Sequence, residues 1–299
     1  MRVAVLTRPE SGAATLEAGE VADCLRALGH APVPVECSDI PVTEALLERF
    51  SPQLVFNLVD RTSTGRGTAH EVATMMDALD LPHTGAPAAA LEALADRREA
   101  KAQMRQAGLP VPEGIAPWDN RRRFAVKPAY AGLARDLGQE MRVVGAEAAR
   151  ALVEKRERET GTPWFAESYI EGRSFCVPMI ELRKGPMVLP IAETIIIASL
   201  DGTGSSVSAT QRIFGTHDGA LVRQLGELAM QTWRLFGLRG YASVDFRVDS
   251  AGHAVIVDVE ALPRLNASGE FCAAAAQLGM EQVDVVGRIV SAALVRKRT

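Results

Sequence analysis

The first eighty residues alternate valine-rich apolar runs with amphipathic runs of helical period, and this alternation restricts the fold more than any other feature. Strands are predicted at 2–6, 33–36 and 53–59, and helices at 12–29, 41–50 and 68–80. Because strands joined by helices pair in parallel, the segment predicts an α/β domain with ligand-binding groups at the strand ends. Asn57, Arg61 and Thr62 lie at the end of the third strand and are therefore candidate substrate-binding residues. A loop salt bridge explains Arg61 equally well.

The pattern changes after the turn-rich segment 82–87. One helical run is predicted at 90–108, ending at Gly108 and the prolines that follow. An antiparallel sheet is predicted from strands at 124–128, 141–144, 164–170 and 175–183, and from one strand or a pair at 185–198. Residues 201–211 are predicted to form a flexible loop of small residues, and helices are predicted at 146–160, 218–236, 269–279 and 281–296. The chain therefore predicts an α/β fold with additional α+β elements.

Composition narrows the function classes. The chain has 299 residues and a net charge of −4, so a basic surface for nucleic acid or anionic lipid is not expected. Four widely spaced cysteines match no metal-binding spacing and predict free thiols in a reducing compartment. No secretory leader pattern is visible, and the most apolar stretch, 194–200, is too short to cross a bilayer. A cytoplasmic protein without membrane contact is expected.

A hairpin near the end of the chain carries three acids on two valine-rich strands. A two-residue turn at 251–252 sets Asp245 opposite Asp258, and Glu260 projects from the same face. Directly opposed like charges are destabilising unless they bind a cation or take up a proton. Carboxylate oxygens suit Mg²⁺ carrying substrate phosphates, so the hairpin is a candidate metal site.

A solvated face is the alternative interpretation of the same hairpin. The opposite face then forms the core and consists of Val244, Phe246, Val248, Val255, Val257 and Val259. Arg247 could also neutralise one of the acids within the strands. The hairpin by itself does not decide between the two interpretations.

Five short motifs occur in an order that extends over nearly the whole chain. They are LPHTG at 81–85, GLPVP at 108–112, AVKP at 125–128, FAESYIEGRSF at 165–175, and the strand pair YASVDFRVD and VDVEALP. In this order they resemble the ATP-grasp carboxylate–amine ligases, specifically the D-alanine–D-alanine ligase-like branch. The resemblance implies an ATP-grasp fold, in which an N-terminal parallel α/β domain at 1–87 precedes two α+β domains, at 88–170 and 171–299, that clamp ATP.

The resemblance also implies roles for individual residues. Lys127 would neutralise ATP phosphate. Glu167 would accept a hydrogen bond from the adenine amino group, and the backbone of Ser168, Tyr169 and Ile170 would contact the ring edge. The hairpin acids Asp245, Asp258 and Glu260 would hold Mg²⁺, or Mn²⁺ in its place, and so stabilise charge on a transferring phosphoryl group.

The chain departs from the family pattern at several of these positions. Arg97 replaces a phosphate-binding lysine, for which Lys101 is the fallback, and Ser174 replaces an acid that binds the ribose. The serine-rich phosphate loop of the family reads AYAGLARDLG at 129–138, and Glu260 replaces an asparagine ligand.

Two further departures concern the reacting groups. An arginine that steadies the oxyanion in the family is Ser243 here, whereas a glycine of the family is Arg264. We expect Arg264 to supply, from a new position, the positive charge lost at Ser243. Arg212 is a candidate for the lysine that relatives carry on a loop over the site.

The reaction implied by the resemblance is ATP-dependent formation of an acyl phosphate, followed by attack of nitrogen and release of phosphate. Because the acid that holds a first amino acid in dipeptide ligases is not evident, a tethered nucleophile is expected. The specific expectation is an ADP-forming cyclo-ligase that closes O-ureido-D-serine to D-cycloserine in antibiotic biosynthesis.

Two alternatives stay open: a D-alanine–D-alanine-type dipeptide ligase and a non-catalytic nucleotide-binding protein. In each case the expected partner is a small molecule, an amino-acid-like carboxylate for the two ligases, and a homodimer is compatible with the resemblance.

Overall fold

The computed structural model describes residues 1–8, 13–59, 69–115, 120–130, 141–200, 206–215 and 219–296. At its start, β1 (Arg2–Thr7), β2 (Ala31–Glu36) and β3 (Leu54–Asn57) form a three-stranded parallel sheet in the order β2-β1-β3. The connecting helices are α1 (Ala13–Ala27) and α2 (Ile40–Phe50), and α3 (Ala69–Ala78) follows β3. The parallel α/β prediction is confirmed. Strand β1 illustrates why the sheet is parallel. Four of its consecutive apolar side chains are fully buried between helices, as is typical of strands in parallel sheets.

The prediction of a single helix at 90–108 is wrong, because the helix is interrupted at Asp96. Helix α4 (Ala88–Ala95) ends there, and α5 (Arg97–Gln106) begins at the next residue. Asp96 has extended backbone angles, and its side chain accepts a hydrogen bond from the backbone N–H of Arg98. An N-cap of this kind satisfies a donor that a helix start leaves unpaired. The break makes Arg97 the first residue of α5.

The central part of the chain is a small antiparallel sheet covered on one face by a helix. Strands β4 (Arg123–Pro128), β5 (Met141–Val144) and β6 (Trp164–Ser168) are ordered β5-β4-β6, and α6 is Ala146–Thr160. The helix packs against a core that consists of Phe124, Val126, Ala146, Ala149, Trp164 and Ala166. Because side chains alternate along a strand, Lys127 and Glu167 project from the other face.

A six-stranded sheet forms the last part of the chain. Strands β7 (Arg173–Leu182), β8 (Gly185–Val188), β9 (Ala192–Leu200), β10 (Ser206–Phe214), β11 (Tyr241–Val248) and β12 (Ala254–Glu260) build it. The order is β10-β9-β7-β11-β12, and β8 pairs with β7. Helices α7 (Gly219–Leu235), α8 (Glu270–Ala276) and α9 (Gln282–Arg296) accompany the sheet.

Strand β10 corrects the loop predicted at 201–211. Residues 206–211 belong to this strand and pair with β9 in an unbroken antiparallel register, from Ser206 opposite Leu200 to Phe214 opposite Ala192. Small residues did not prevent a strand here, because the neighbouring strand β9 supplies the backbone pairing. Residues 201–205 lie outside the described part of the chain.

The acidic hairpin has the predicted pairing but not the predicted turn. Asp245 lies opposite Asp258, as expected, whereas the connection is a longer loop closed by Asp249 and His253. The register shifts by one residue between Asp245 and Phe246, which is a β-bulge. The bulge places Ala254 and Ile256 in the core in place of Val255 and Val257. No helix within the described ranges is long and apolar enough to cross a membrane.

Candidate functional site

Asp258 is neutralised by a cation from a distant part of the sequence. Arg97 donates from Nη2 to Asp258 Oδ2 at 2.6 Å and from Nε to Oδ1 at 3.1 Å, although the two residues are 161 positions apart. Only 7% of Arg97 is exposed. Burial disfavours ionisation of Asp258, but the adjacent Arg97 charge and its hydrogen bonds hold the pKa of this carboxyl below its usual value. The acid is therefore paired with Arg97 and not with Arg247.

Glu167 lies between two lysines. Lys101 Nζ donates to Oε2 at 2.5 Å and Lys127 Nζ donates to Oε1 at 2.9 Å, and Glu167 is 3% exposed. Lys101 also donates to the carbonyl oxygen of Val257 at 2.8 Å, which joins α5 to the acidic hairpin. Burial lowers the pKa of Lys101 despite its carboxylate partner. Both oxygens of Glu167 thus orient lysines, and its expected contact with adenine stays a prediction.

The carboxyl of Asp245 lies in an environment that favours its protonated form. Burial raises its pKa well above the usual value, and the neighbouring charges of Glu260, Asp258 and Glu270 raise it further. Asp245 is opposite Cys176 on β7, and burial together with the Asp245 charge raises the pKa of this thiol well above its usual value. The neighbouring acids therefore add to the effect of burial on the pKa of Asp245.

A cavity of about 400 Å³ opens beside Asp245. The polar and charged side chains on its wall include Arg212, Ser243, Asp245, Glu260, Arg264 and Glu270. Arg212 is engaged, because its Nη1 donates to the carbonyl oxygen of Ser268 at 3.0 Å and its Nε lies 3.4 Å from Glu270 Oε1. Arg264, by contrast, is half-buried, and no hydrogen bond or ion pair joins its side chain to any residue that the structure describes. A guanidinium in this position can bind an anionic group of a ligand.

The loop that carries Arg264 is fixed by two acids of α1. Glu17 Oε1 accepts from the backbone N–H of Leu265 at 2.6 Å, and Glu20 Oε2 accepts from the N–H of Ala267 at 2.8 Å. Sequence reasoning did not find these contacts. Their spacing of three residues places them on one helix face, but this signal does not name the partner.

The residues expected to contact adenine lie at the end of β6. The N–H of Ser168 donates to the carbonyl oxygen of Glu113, and the N–H of Tyr169 donates to that of Arg123. Ile170 follows directly and is half-buried. The Tyr169 ring lies 4.4 Å from the guanidinium carbon of Arg142. The N–H groups of Ser168 and Tyr169 are thus engaged within the protein, and the contact of this segment with adenine stays a prediction.

The remaining candidates are dispersed. Asn57 is 1% exposed, and its side chain accepts from the N–H of Val59 at 3.0 Å, so it closes the end of β3. Arg61 and Thr62 lie outside the described residues. Ser174 is on β7 and pairs with Arg247 of β11.

The hairpin acids have the chemistry of a Mg²⁺ or Mn²⁺ site, because the side-chain atoms that they offer to a metal ion are all carboxylate oxygens. The three carboxylates lie near one another, as indicated by the effect of Glu260 and Asp258 on the pKa of Asp245. Nevertheless, in the described part of the chain no three His, Cys, Asp or Glu side chains are grouped closely enough to hold a metal ion. The chemistry of these side chains fits a hard divalent cation, and Asp258 accepts hydrogen bonds from Arg97.

Comparisons with known proteins agree on one family. A family model described as "D-ala D-ala ligase C-terminus" matches residues 126–291. A D-alanine–D-alanine ligase of Moorella thermoacetica is 26% identical over 318 aligned positions, covering 98% of this chain and 99% of that protein. One of Aquifex aeolicus is 26% identical, covering 97% and 100%.

Solved structures show the same fold. The structure of a D-alanine–D-alanine ligase from Bacillus anthracis superposes with a TM-score of 0.85 at 16% identity, covering 100% of this chain and 99% of that chain. The structure of that ligase complexed with ATP gives a TM-score of 0.80, at the same identity and coverage.

Proposed function

Since this chain belongs to the D-alanine–D-alanine ligase-like family of ATP-grasp enzymes, we propose that it joins two amino acids at the expense of ATP. It is an ADP-forming carbon–nitrogen ligase. In the proposed reaction, a carboxylate oxygen of the first amino acid attacks the terminal phosphorus of ATP, and ADP leaves. The amine nitrogen of the second then attacks the acyl carbon. Phosphate leaves with the bonding electrons, and the amine loses a proton.

One observation supports this proposal most directly. Cations from the central part of the chain and acids from the last sheet meet in a single buried cluster, in which Arg97 contacts Asp258 and Lys101 contacts both Glu167 and the hairpin backbone. A nucleotide polyphosphate with its divalent cation requires both signs of charge within a few ångströms. The cluster supplies them from helix α5, the central sheet and the acidic hairpin.

The chain's own residues divide the work as follows. Arg97 and Lys127 bind phosphate oxygens, and the backbone at 168–170 positions the adenine ring. Asp245, Asp258 and Glu260 hold Mg²⁺, with Mn²⁺ as a substitute. When bound, this ion neutralises charge on the phosphoryl group. Glu167 keeps the two lysine side chains oriented and so acts as a positioning residue.

Arg264 is proposed to bind the reacting carboxylate and the oxyanion that forms from it. It lines the cavity without a partner in the described structure, whereas Arg212 is held by Ser268 and Glu270. A pre-positioned cation acts most strongly on developing charge in a site from which water is excluded. The two arginines are therefore not equivalent candidates.

Cyclisation of O-ureido-D-serine is a second candidate. The cavity supports it to the extent that Ser243 and Arg264 replace residues of the two-substrate pattern. The names of the relatives favour two amino-acid substrates, and a non-catalytic role is not supported. The division at 1–87, 88–170 and 171–299 and the cytoplasmic location stay proposals.

The test is ADP release by the full-length chain with Mg²⁺ and ATP, combined with mass spectrometry of the product. D- and L-amino acids are supplied singly and in pairs, together with O-substituted serines. We expect ADP with one amino acid that serves as both substrates or with a pair, and in either case a product whose mass is the sum of two amino acids less one water. ADP formed from O-ureido-D-serine alone would favour cyclisation. No ADP with any compound, under conditions in which the protein is folded, would contradict both.

A further inference from the structure

Both oxygens of Asp258 are occupied by donors of the protein itself. Oδ2 accepts from Arg97 Nη2 at 2.6 Å, and Oδ1 accepts from Arg97 Nε at 3.1 Å and from the N–H of Val259 at 3.0 Å. The third guanidinium nitrogen, Nη1, lies 3.4 Å from the carbonyl oxygen of Pro128 at the end of β4. Arg97 and the N–H of Val259 thus occupy three of the roughly four lone pairs of this carboxylate, which leaves little of it open to a cation.

A divalent cation therefore competes with Arg97 for Asp258, and it can bind both carboxylate oxygens only if Arg97 releases them. Arg97 is buried, and a buried guanidinium that loses its carboxylate without gaining another anion is strongly unfavourable. Its acidic neighbours do not provide a replacement anion. Both oxygens of Glu167 already accept from Lys101 and Lys127, and Glu260, whose charge also acts on Arg97, is itself a proposed ligand of the cation. The replacement anion must come from a ligand.

A polyphosphate that arrives with the cation meets this requirement. Arg97 begins α5 directly beside the end of β4, where Lys127 also lies. A phosphate oxygen in this corner can accept from Arg97 while the metal takes the oxygens of Asp258. The exchange replaces one charge-assisted contact with two, so neither charge is left uncompensated.

We propose that Arg97 is an exchangeable internal counterion that keeps a divalent cation from Asp258 until a nucleoside triphosphate binds. Metal and nucleotide then bind as a coupled pair, and by linkage each raises the affinity of the other by the same factor. The inference rests on the proposed function in assigning a divalent cation to Asp258 and a nucleoside triphosphate to the cluster around it. It goes beyond that function because it assigns Arg97 a role before any nucleotide is present.

The test measures binding of Mn²⁺ alone to the full chain, without nucleotide, from the electron paramagnetic resonance signal of free Mn²⁺. We expect Arg97→Gln to tighten Mn²⁺ binding by about tenfold or more, within the usual range of coupling between two sites. The gain should disappear in the Arg97→Gln, Asp258→Asn double variant, because the freed ligand is then missing. An unchanged or weakened Mn²⁺ affinity in Arg97→Gln would overturn the proposal and make the pair a permanent structural contact.

Two controls separate exchange from simple loss of positive charge. Lys127→Gln removes one positive charge from the same cluster but leaves Arg97 paired with Asp258. The gain in Mn²⁺ affinity should therefore be clearly smaller than in Arg97→Gln. Arg98→Gln alters the neighbouring arginine, which pairs with Asp96, and should leave Mn²⁺ affinity unchanged. Equal gains in Arg97→Gln and Lys127→Gln would mean that only net charge matters, and the exchange would be wrong.

If Arg97→Gln does not fold, as judged by circular dichroism, Arg97→Lys takes its place. A lysine has one donor centre instead of a fork, so it frees part of Asp258 and should give an intermediate gain. The inference and the proposed function can fail separately. If the wild-type protein releases ADP but neither Arg97→Gln nor Arg97→Lys binds Mn²⁺ more tightly, only the inference is contradicted. A chain that binds neither Mn²⁺ nor Mg-ATP contradicts the function as well.

Discussion

Glu17 of the first helix accepts a 2.6 Å hydrogen bond from the backbone N–H of Leu265, 248 residues later in the chain. Glu17 is 8% exposed, and the bond lies one residue from Arg264. A carboxylate that accepts a buried backbone N–H fixes that backbone. The α/β unit at the start of the chain thereby positions the arginine that we propose for the reacting carboxylate.

Replacement of Glu17 by alanine should lower both stability and substrate affinity. The change leaves the buried N–H of Leu265 without an acceptor, which costs about 1–3 kcal/mol. Urea denaturation measures the free energy of unfolding, and steady-state kinetics should show a raised KM for the amino acid but not for ATP. Glu48→Ala, at an exposed acid of α2, is the control and should change stability by less than about 0.5 kcal/mol. A stable Glu17→Ala variant with an unaltered KM would show that the bond does not position the loop.

Replacement of Arg264 by alanine should reduce kcat by about 10²- to 10³-fold, the usual effect of removing one donor to a developing oxyanion. Stability should hardly change, because no described residue loses a hydrogen bond or ion pair with Arg264. Arg264→Lys should recover part of the activity, since it restores the charge but not the planar fork. The exposed Arg183 serves as a matched control, and Arg183→Ala should keep full activity. Wild-type kcat in Arg264→Ala would contradict the assignment.

Asp245 should destabilise the folded protein in a pH-dependent way, and the Asp245→Asn variant should remove this destabilisation. Its folded-state pKa is raised by burial and neighbouring acids, so the folded protein binds more protons than the unfolded chain above the usual aspartate pKa. Stability from this group therefore falls as pH rises towards the folded-state pKa. In metal-free buffer, Asp245→Asn should melt at a higher temperature than the wild type at pH 7, and the difference should shrink towards pH 4. A lower melting temperature at pH 7 would mean that the carboxyl is not destabilised.

Asp258 should behave in the opposite sense. Because Arg97 holds its folded-state pKa below the usual value, its contribution is present above the unfolded pKa of about 3.9 and is lost as pH falls through the lower folded-state pKa. Asp258→Asn should lose this acid sensitivity and be less stable at pH 7, since Arg97 is left without its carboxylate. Thermal melts of both variants across pH 3–8 in the same buffers distinguish the two acids.

Gly85→Ala should destabilise the contact between the α/β unit at the start of the chain and the loop after β12, which contains Leu262. Gly85 has a φ of +91°, and an added Cβ would lie 2.5 Å from Leu262 Cδ2. Gly108 is the matched control, because its φ is also positive, at +77°, but its Cβ would meet nothing within 4 Å. Gly108→Ala reports the backbone strain alone, about 1 kcal/mol or more, and Gly85→Ala should exceed it. Equal losses in the two variants would show that Leu262 yields without cost.

The secondary structure could be predicted wherever local patterning determines it. The parallel first sheet follows from the alternation of buried strands and amphipathic helices, and the opposition of Asp245 and Asp258 follows from hairpin geometry. The break at Asp96 was missed, because its capping hydrogen bond competes with a helical pattern that continues through it. The bulge after Asp245 was missed because the loop at Asp249 adds residues that the two-residue turn does not have.

Apolar periodicity and motif order are local properties, so the chain's chemical groups and most of the order of its strands and helices can be read from the amino-acid sequence. The pairing of those groups depends on how distant elements pack. Arg97 meets Asp258, and Glu17 meets Leu265, across more than 160 residues. A buried charge takes whichever partner the packing of distant elements brings within hydrogen-bonding distance, and no spacing along the chain encodes that partner.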